Sequence, residues 1–424
     1  MAFCASGQSD QARRLFEAIL KEAPWHVASA SNLASLEAEA GDFERSRETI
    51  QSGLRSHPSV AFRFGAAAHA ACNRQAWGHA QDFAIMALSS SPDDGAAWMA
   101  LAETLVRRRL WNPAERCFRR ALDLTPDDAV AKHAFSLMLL TLGRFEEGFH
   151  FHKAIRHLEF ARSALGADAP YWEGQNLAHK TLLVVARLGL GDTIQYARYL
   201  PELRRRAAQL KVQVQPALAR LLDAPSIGLD PGRYDYCTAF DELPGLVAGV
   251  AWQPYLMVPD EAAAAWRRRI RQKVSKVVGI VYAGNPRQAK HAGRSIDPNH
   301  LRPLLAVPGI RFVSLQVDGH TDLGIAAFGP DFQDLFDTAC AIRNLDLLIS
   351  VDTSVAHLAG AMGRPTWIML PYVPDYRWLL DRADSPWYPS VRLFRQDAAR
   401  DYVVVVDRIR GELAGFELSP KSAM

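Results

Sequence analysis

Four prolines in the first part of the chain recur at a constant interval of 34 residues, and this spacing constrains the fold more than any other feature of the sequence. They are Pro24, Pro58, Pro92 and Pro126. Because proline has no amide proton and its ring clashes with the preceding turn, each of them ends a helix. A helix-ending residue at a constant interval predicts a solenoid of stacked helical hairpins.

The residues between these prolines resemble the packing pattern of the tetratricopeptide repeat. In the unit that Pro126 closes, the packing positions are occupied by Trp98, Leu101, Ala102, Leu105, Ala114, Phe118 and Ala121. Small residues at several of these positions let the two helices of a hairpin approach closely. The pattern fades near Phe160. We therefore predict an α-solenoid of about four and a half repeats over residues 1–160.

Arrays of this kind rarely carry out chemistry, and their concave surfaces bind peptides or protein segments. The sequence starts in the middle of a repeat, since Ala12 and Phe16 fit the second helix of a unit whose first helix has no residues. An uncapped hairpin leaves apolar surface at its edge. We expect this edge to be covered by preceding residues, by another copy of the chain in a homo-oligomer, or by the substrate.

Composition and charge exclude several classes of protein. The chain has 424 residues, of which 49% are apolar and 22% charged, so it suits two or three globular domains and is neither disordered nor fibrous. A net charge of +3 is too small for a nucleic-acid-binding surface. Two arginine runs, at 204–206 and 267–269, fit either a solvated helix face or a contact with phosphate.

The cysteines and the apolar segments indicate the compartment. The five cysteines are scattered and form no CxxC pair, which argues against a disulfide framework and against a zinc site. The first residues lack the apolar core of an export signal, and the longest weakly charged stretch is interrupted by proline and glycine. We expect a cytoplasmic protein with no membrane span.

From Thr181 onward, strands alternate with helices. The apolar run LLVVARL is typical of a buried parallel strand, and a glycine turn and a helical segment follow it. Further strand-like runs lie near residue 212 and at 276–284, 311–316, 346–353, 366–370 and 391–396. Such alternation predicts two doubly wound parallel sheets, a short N-terminal half over 161–260 and a C-terminal half over 261–424, linked by a helix over 258–272.

Two such halves form a cleft at the carboxyl ends of their strands, where open α/β folds bind ligands. Three loops point to this cleft, at 189–193, 284–295 and 352–357. A carboxylate such as Asp192 accepts a proton in group transfer, and an arginine such as Arg294 binds phosphate oxygens. The aromatic segment 371–389 fits a wall that stacks on a sugar or a base, and it equally fits packing against the sheet.

Each candidate residue also has a purely structural interpretation. Asp192 and Asp352 are both placed to cap the helices that follow them. His357 lies one turn into an apolar helix, where a histidine is commonly a buried core residue. Arg294 has Asp297 as a possible surface partner.

The three loops resemble motifs of family 9 of the glycosyltransferases, the bacterial heptosyltransferase family, whose fold is of the two-Rossmann (GT-B) type. The motifs are GLGDTIQYARYLP, YAGNPRQAKHAGRSI and ISVDTSVAHLAGAMGRP, and the resemblance covers residues 181–396. It implies a nucleotide-sugar donor, no metal and no other cofactor, with Asp192 as the catalytic base. The donor-binding residues are expected to be Gly191, Asn285, Lys290, Arg294, Ser295, Asp352, Thr353, Ser354 and His357.

Repeats followed by such a domain also resemble a class of bacterial repeat-containing glycosyltransferases. We therefore predict a metal-independent hexosyl- or heptosyltransferase that modifies a protein acceptor, such as a flagellin or another secreted protein, docked on the repeats. The first half, over about 180–255, is shorter than the family's N-terminal domain, which disfavours a lipopolysaccharide acceptor. The alternatives are a non-catalytic scaffold with a degenerate nucleotide-sugar-binding domain and a nucleotide-sugar epimerase built on the same fold.

Overall fold

The computed structural model describes residues 9–56, 63–158, 169–272, 276–284, 293–317 and 323–416. The chain divides into two compact units, residues 1–139 and residues 140–424. We describe each unit by itself. The domain boundaries expected at residues 160 and 260 stay predictions.

The described part of the first unit is helical. Its helices are α1 Ser9–Glu22, α2 Val27–Ala40, α3 Phe43–Ser56, α4 Gly65–Asn73, α5 Trp77–Ser90, α6 Gly95–Arg107, α7 Trp111–Leu124 and α8 Ala129–Thr141, whose last residues belong to the second unit. Helices α3, α5 and α7 begin 34 residues apart, and so do α6 and α8. Pro24, Pro92 and Pro126 lie in the turns before α2, α6 and α8, whereas Pro58 lies outside the described residues. The predicted tetratricopeptide-type array is confirmed.

Small residues and one carboxylate hold neighbouring hairpins of the array together. Ala67 and Ala84 are fully buried where α4 packs against α5. The Asp94 carboxylate accepts a hydrogen bond from the Ala97 amide at 3.2 Å and so caps α6. The same carboxylate accepts one from the Gly65 amide, at the start of α4, at 2.9 Å. A Cβ on Gly65 would lie 2.4 Å from the Ala97 nitrogen, so this close approach requires glycine.

We expect Phe118→Ala to lower the free energy of unfolding of the array by about 3–5 kcal/mol, because the buried ring packs against Phe135 and its removal leaves a cavity. Trp25→Ala is the control, since the Trp25 side chain is 56% exposed and its loss should change the free energy by less than about 0.5 kcal/mol. Urea unfolding followed by circular dichroism measures both. Equal losses in the two variants would contradict this packing.

The described part of the second unit contains two sheets. Its strands are β1 Thr181–Val185, β2 Gln209–Gln213, β3 Tyr236–Ala239, β4 Lys276–Val281, β5 Ile310–Ser314, β6 Ala326–Ala327, β7 Leu347–Val351, β8 Thr366–Leu370 and β9 Val391–Arg395. The strand orders are β2-β1-β3 and β6-β5-β4-β7-β8-β9, and all neighbouring strands are parallel. Every strand-like run seen in the sequence forms a strand, while β3 and the short β6 had not been predicted.

Helices connect these strands and cover the sheets. They are α9 Phe145–His152, α10 Leu190–Tyr196, α11 Leu200–Arg206, α12 Pro216–Leu222, α13 Leu243–Leu246, α14 Asp260–Arg271, α15 Arg302–Leu305, α16 Leu335–Ile342, α17 Ser354–Ala361 and α18 Tyr402–Ala414. The predicted linking helix is α14. The predicted fold class, a tetratricopeptide solenoid followed by a GT-B-like body of two doubly wound sheets, is confirmed.

Both arginine runs lie on helices and contact acidic side chains. Arg206, at the end of α11, donates to Glu202 at 2.6 Å, and Arg269 on α14 pairs with Asp331. These contacts favour the interpretation as a solvated helix face. Among the described residues, no helix is long and apolar enough to cross a membrane, and no group of three or more histidine, cysteine or acidic side chains is placed to hold a metal ion.

The two sheets place their strand-order reversals toward each other. In the first sheet the order reverses between β1 and β3, and in the second between β4 and β7. Ligands bind at such reversals, beyond the carboxyl ends of the strands. Helix α10, which follows β1, packs directly against α17, which follows β7. The loops after these central strands therefore meet within the second unit.

A buried ionic cluster holds α9 on the first sheet. Arg187, directly after β1, pairs with Asp241 and Glu242, directly after β3, with nitrogen–oxygen distances of 2.7 Å. His152 of α9 lies 3.1 Å from the Asp241 carboxylate. Burial raises the pKa of Asp241, but Arg187 and His152 outweigh it and hold this pKa below its ordinary value. All four side chains are buried, so the cluster fixes the carboxyl edge of the first sheet.

Candidate functional site

The glycine loop after β1 places Asp192 in the first turn of α10. One carboxylate oxygen of Asp192 accepts a hydrogen bond from the Gly189 amide at 3.1 Å, so Asp192 does stabilise the start of this helix. The other oxygen forms an ion pair with Arg377. Burial raises the pKa of the Asp192 carboxyl above its ordinary value, although Arg377 lowers it. The predicted capping role and a second, charged contact therefore coexist in this residue.

Arg377 lies in the one-turn helix Tyr376–Trp378, in the connection after β8. Its Nη2 donates to Asp192, and its Nη1 donates to Asp375 at 2.6 Å. Asp375 also caps the one-turn helix by accepting from the Arg377 amide at 3.0 Å. Burial lowers the pKa of Arg377, but the two aspartates outweigh it and raise this pKa. The Asp192–Arg377 pair thus joins loops of the two sheets.

The loop after β7 places a second carboxylate and two hydroxyl groups at the start of α17. Thr353 is the cap residue, with extended backbone, and its hydroxyl lies 3.1 Å from that of Ser350. Asp352 is buried and lies just before the cap position, so it does not cap the helix as predicted, and the Thr353 side chain makes no capping hydrogen bond to α17. Burial, and then Asp375, raise the pKa of Asp352 to about 6, while Arg294 lies near enough to lower it. Ser354 is the first residue of α17.

His357 occupies the contact between α10 and α17. Its Nδ1 lies 3.0 Å from the Tyr388 hydroxyl, and its ring stacks on Trp378 at a centroid distance of 4.9 Å. A Cβ on Gly191 would lie 3.0 Å from Cδ2 of His357, so the glycine loop approaches the ring closely. Burial, and then Arg377, lower the pKa of His357 to about 3. His357 is therefore a neutral, buried residue, as its structural interpretation predicted, and it lies 3.8 Å from Asp352.

The third loop follows β4 and carries Arg294. The Gly284 amide donates to the Ser295 hydroxyl oxygen at 3.2 Å. A Cβ on Gly284 would lie 2.5 Å from Nε of Arg294, so the guanidinium rests against the end of β4. Asn285 and Lys290, which were also predicted to bind the donor, lie outside the described residues. The described part of this loop places Arg294 and Ser295 at the strand-order reversal.

The aromatic segment 371–389 is largely packing. Tyr376, Trp378, Trp387 and Tyr388 are all buried, which favours the packing interpretation over an open stacking wall. The functional candidates within this segment are its charged residues, Arg377 and Asp375, which the sequence interpretation had passed over. The sequence did contain a signal for these two residues. An arginine and an aspartate within a buried aromatic segment need charged or polar partners.

Comparisons with known proteins agree with parts of this description. The tetratricopeptide-repeat family model matches residues 4–70. Protein FlbA of Caulobacter vibrioides is 28% identical over 333 residues, which cover 66% of this chain and 54% of that protein. The chain thus spans about half the length of this curated relative.

Two solved structures show likeness to separate parts of the chain. A family 9 glycosyl transferase from Veillonella parvula is 13% identical and covers 53% of this chain and 88% of its own, with a TM-score of 0.39. A thermophilic tetratricopeptide-repeat protein from Thermus thermophilus is 21% identical and covers 37% of this chain and 87% of its own, with a TM-score of 0.32.

We expect His357→Gln to reduce the loss of stability that the second unit suffers in acid. Between pH 6.5 and about 3, unfolded His357 binds a proton that the folded residue does not, so falling pH favours unfolding by up to about 1.4 kcal/mol per pH unit. Asp352 acts in the opposite direction, because its folded pKa of about 6 exceeds its ordinary value. Asp352 is present in both the wild type and His357→Gln, so the difference between their pH dependences reports on His357.

Urea unfolding at pH 7, 6, 5 and 4 measures this difference. The glutamine variant should lose less free energy of unfolding between pH 7 and 4 than the wild type, whatever its stability at pH 7. Parallel curves for the two proteins would show that His357 titrates normally in the folded chain.

Proposed function

We propose that the second unit is a glycosyltransferase domain that takes its sugar from a nucleoside diphosphate donor. One observation carries the proposal, the convergence of a carboxylate, an arginine and a helix start at the facing strand-order reversals of two parallel sheets. Asp192 comes from the first sheet, and Arg294 and the start of α17 come from the second. Ligands of open α/β folds bind at such reversals, and group transfer from a diphosphate needs these chemical groups.

The donor diphosphate would lie at the start of α17. The first amides of this helix have no partners within it, and the helix dipole favours an anion at that end. The hydroxyls of Thr353 and Ser354 add further donors beside these amides. Arg294, at the end of the neighbouring strand β4, offers a planar guanidinium whose geometry matches phosphate oxygens. This set favours a nucleotide sugar over an uncharged sugar.

Transfer would need one proton acceptor and a stabilised leaving group. An acceptor hydroxyl or amide attacks the anomeric carbon, and the bond from this carbon to the diphosphate oxygen breaks with its electron pair. The acceptor proton goes to Asp192, whose raised pKa suits this task. Arg294 and the amides of α17 stabilise the departing nucleoside diphosphate. Neutral His357 fixes the contact of α10 with α17 and so helps to position Asp192.

The acceptor would be a polypeptide that docks on the repeats. Tetratricopeptide arrays bind protein segments through their concave faces, and the first unit offers such an array over its described helices. The proposal also covers three finer points. The donor carries a hexose or a heptose, its nucleotide has one preferred base, and the three loop motifs are of the heptosyltransferase type.

We expect nucleoside diphosphates and their sugars to raise the melting temperature of the protein. A thermal-shift panel of ADP, GDP, UDP and dTDP, each with and without an attached hexose, identifies the base. Arg294→Met should weaken the affinity for the preferred ligand by at least about tenfold, because it removes a charged phosphate contact. Arg268→Met, on the exposed face of α14, is the matched control and should bind as the wild type does. If no ligand of the panel shifts the wild type, the scaffold alternative gains support.

We expect Asp192→Asn to lower sugar transfer by about 100- to 10,000-fold while donor binding persists, since the amide cannot accept the proton. Transfer of radiolabelled sugar from the donor found above to a panel of candidate acceptor proteins measures the effect. Asp384→Asn replaces an exposed aspartate of the second unit and serves as the control. Transfer by Asp192→Asn at the wild-type rate would refute the role of Asp192 as base.

A further inference from the structure

Arg377 is bound by two aspartates, yet one edge of its guanidinium is unused. Nη1 faces Asp375 and Nη2 faces Asp192, whereas Nε has no hydrogen-bond partner among the described residues. The residue is only 9% exposed, so water does not readily replace the missing partner. An arginine binds a phosphate or carboxylate most strongly when Nε and Nη2 face two oxygens together. Asp192 contacts the Nε and Nη2 edge with a single oxygen, because its other oxygen accepts a hydrogen bond from the Gly189 amide.

The backbone that carries Arg377 is held firmly in place. The Arg377 carbonyl accepts a hydrogen bond from the Trp387 indole at 2.7 Å. Arg395 of β9 donates to the carbonyls of Trp378, Leu379 and Arg382 at 2.6, 3.0 and 2.9 Å.

The loop that Arg395 holds is strained. Leu379 has φ 53° and ψ −163°, a conformation that non-glycine residues rarely adopt. Such strain persists only where the surrounding contacts impose it. These contacts hold the backbone of Arg377 in place at the cleft, so a change of partner would involve its side chain alone.

Arg377 lies among several charged groups that a bound anion would meet. Asp375 raises the pKa of both Asp192 and Asp352, Arg377 lowers both, and Arg294 is a second cation that acts on Asp352. A donor diphosphate would bring further negative charge to this edge of the cleft, and it would have two oxygens to offer to the Nε and Nη2 edge. As long as Arg377 neutralises Asp192, the carboxylate is a weaker proton acceptor.

We infer that Arg377 is a donor-binding and catalytic residue that exchanges Asp192 for the diphosphate of the nucleotide sugar when the donor binds. The inference rests on the proposed function. In the free protein Arg377 holds Asp192 in an ion pair. With donor present, Nε and Nη2 bind diphosphate oxygens, Asp375 keeps Nη1, and Asp192 is released to accept the proton of the acceptor. Donor binding thereby switches on the base, and the same guanidinium stabilises the leaving diphosphate.

The exchange makes an unusual prediction, that removal of the charge at Asp192 strengthens binding of the nucleotide. In Asp192→Asn the diphosphate no longer competes with a carboxylate for Arg377, so the affinity for the preferred nucleoside diphosphate should rise by at least about threefold. Titration calorimetry with the nucleoside diphosphate, and with the corresponding nucleoside, measures this change. The nucleoside lacks the diphosphate and should bind both proteins equally. Asp384→Asn, whose exposed carboxylate pairs with Arg382, should leave both affinities unchanged.

A second variant keeps the test decisive if the first does not fold. Arg377→Lys retains the charge but lacks the planar guanidinium. It should weaken the affinity for the nucleoside diphosphate by at least about tenfold. In the double variant Asp192→Asn with Arg377→Lys, the gain seen in Asp192→Asn should disappear. Unchanged or weaker binding by Asp192→Asn, or unchanged binding by Arg377→Lys, would overturn the exchange while the donor site stands. Absence of nucleotide binding by the wild type would overturn the donor site itself, and the exchange with it.

Discussion

The ion pair between Asp192 and Arg377 joins the loop that follows β1 in the first sheet to the loop that follows β8 in the second. Both side chains are largely buried. Removal of one partner would therefore leave an unpaired buried charge and lower the free energy of unfolding. Its position depends on the parallel order of both sheets, which directs the carboxyl ends of their central strands toward each other. Gly191, packed against His357, allows the start of α10 to approach α17 closely beside this pair.

The larger features of the fold follow from local patterns in the sequence. The prolines at 34-residue intervals predict the hairpin array, because each proline prevents a helix from continuing past it and needs no distant partner to do so. The apolar runs that became β1, β4 and β7 are equally local signals of buried parallel strands. Strand β3 was missed because Tyr236–Ala239 is short and has no run of branched apolar residues.

The site was only partly predictable, for a physical reason. Asp192, Asp352 and His357 lie within recognisable sequence motifs at the starts of α10 and α17, and the structure brings these two helix starts together. Arg377 lies 185 residues from Asp192 along the chain, and a pairing over this separation leaves no periodicity or spacing to detect. The cluster of Arg187 with Asp241 was missed for the same reason, since β3 had to be placed before its carboxyl end could be recognised. Charged residues inside buried runs are the signal that points to such pairs.

The most direct measurement is a crystal structure of the protein with its preferred nucleoside diphosphate bound. The diphosphate should lie at the start of α17 beside Arg294, with the Nε and Nη2 edge of Arg377 turned from Asp192 to the phosphate oxygens and Nη1 still on Asp375. A nucleotide bound elsewhere on the second unit would contradict the donor site. A nucleotide at α17 with Arg377 still paired to Asp192 would contradict the exchange that releases the base.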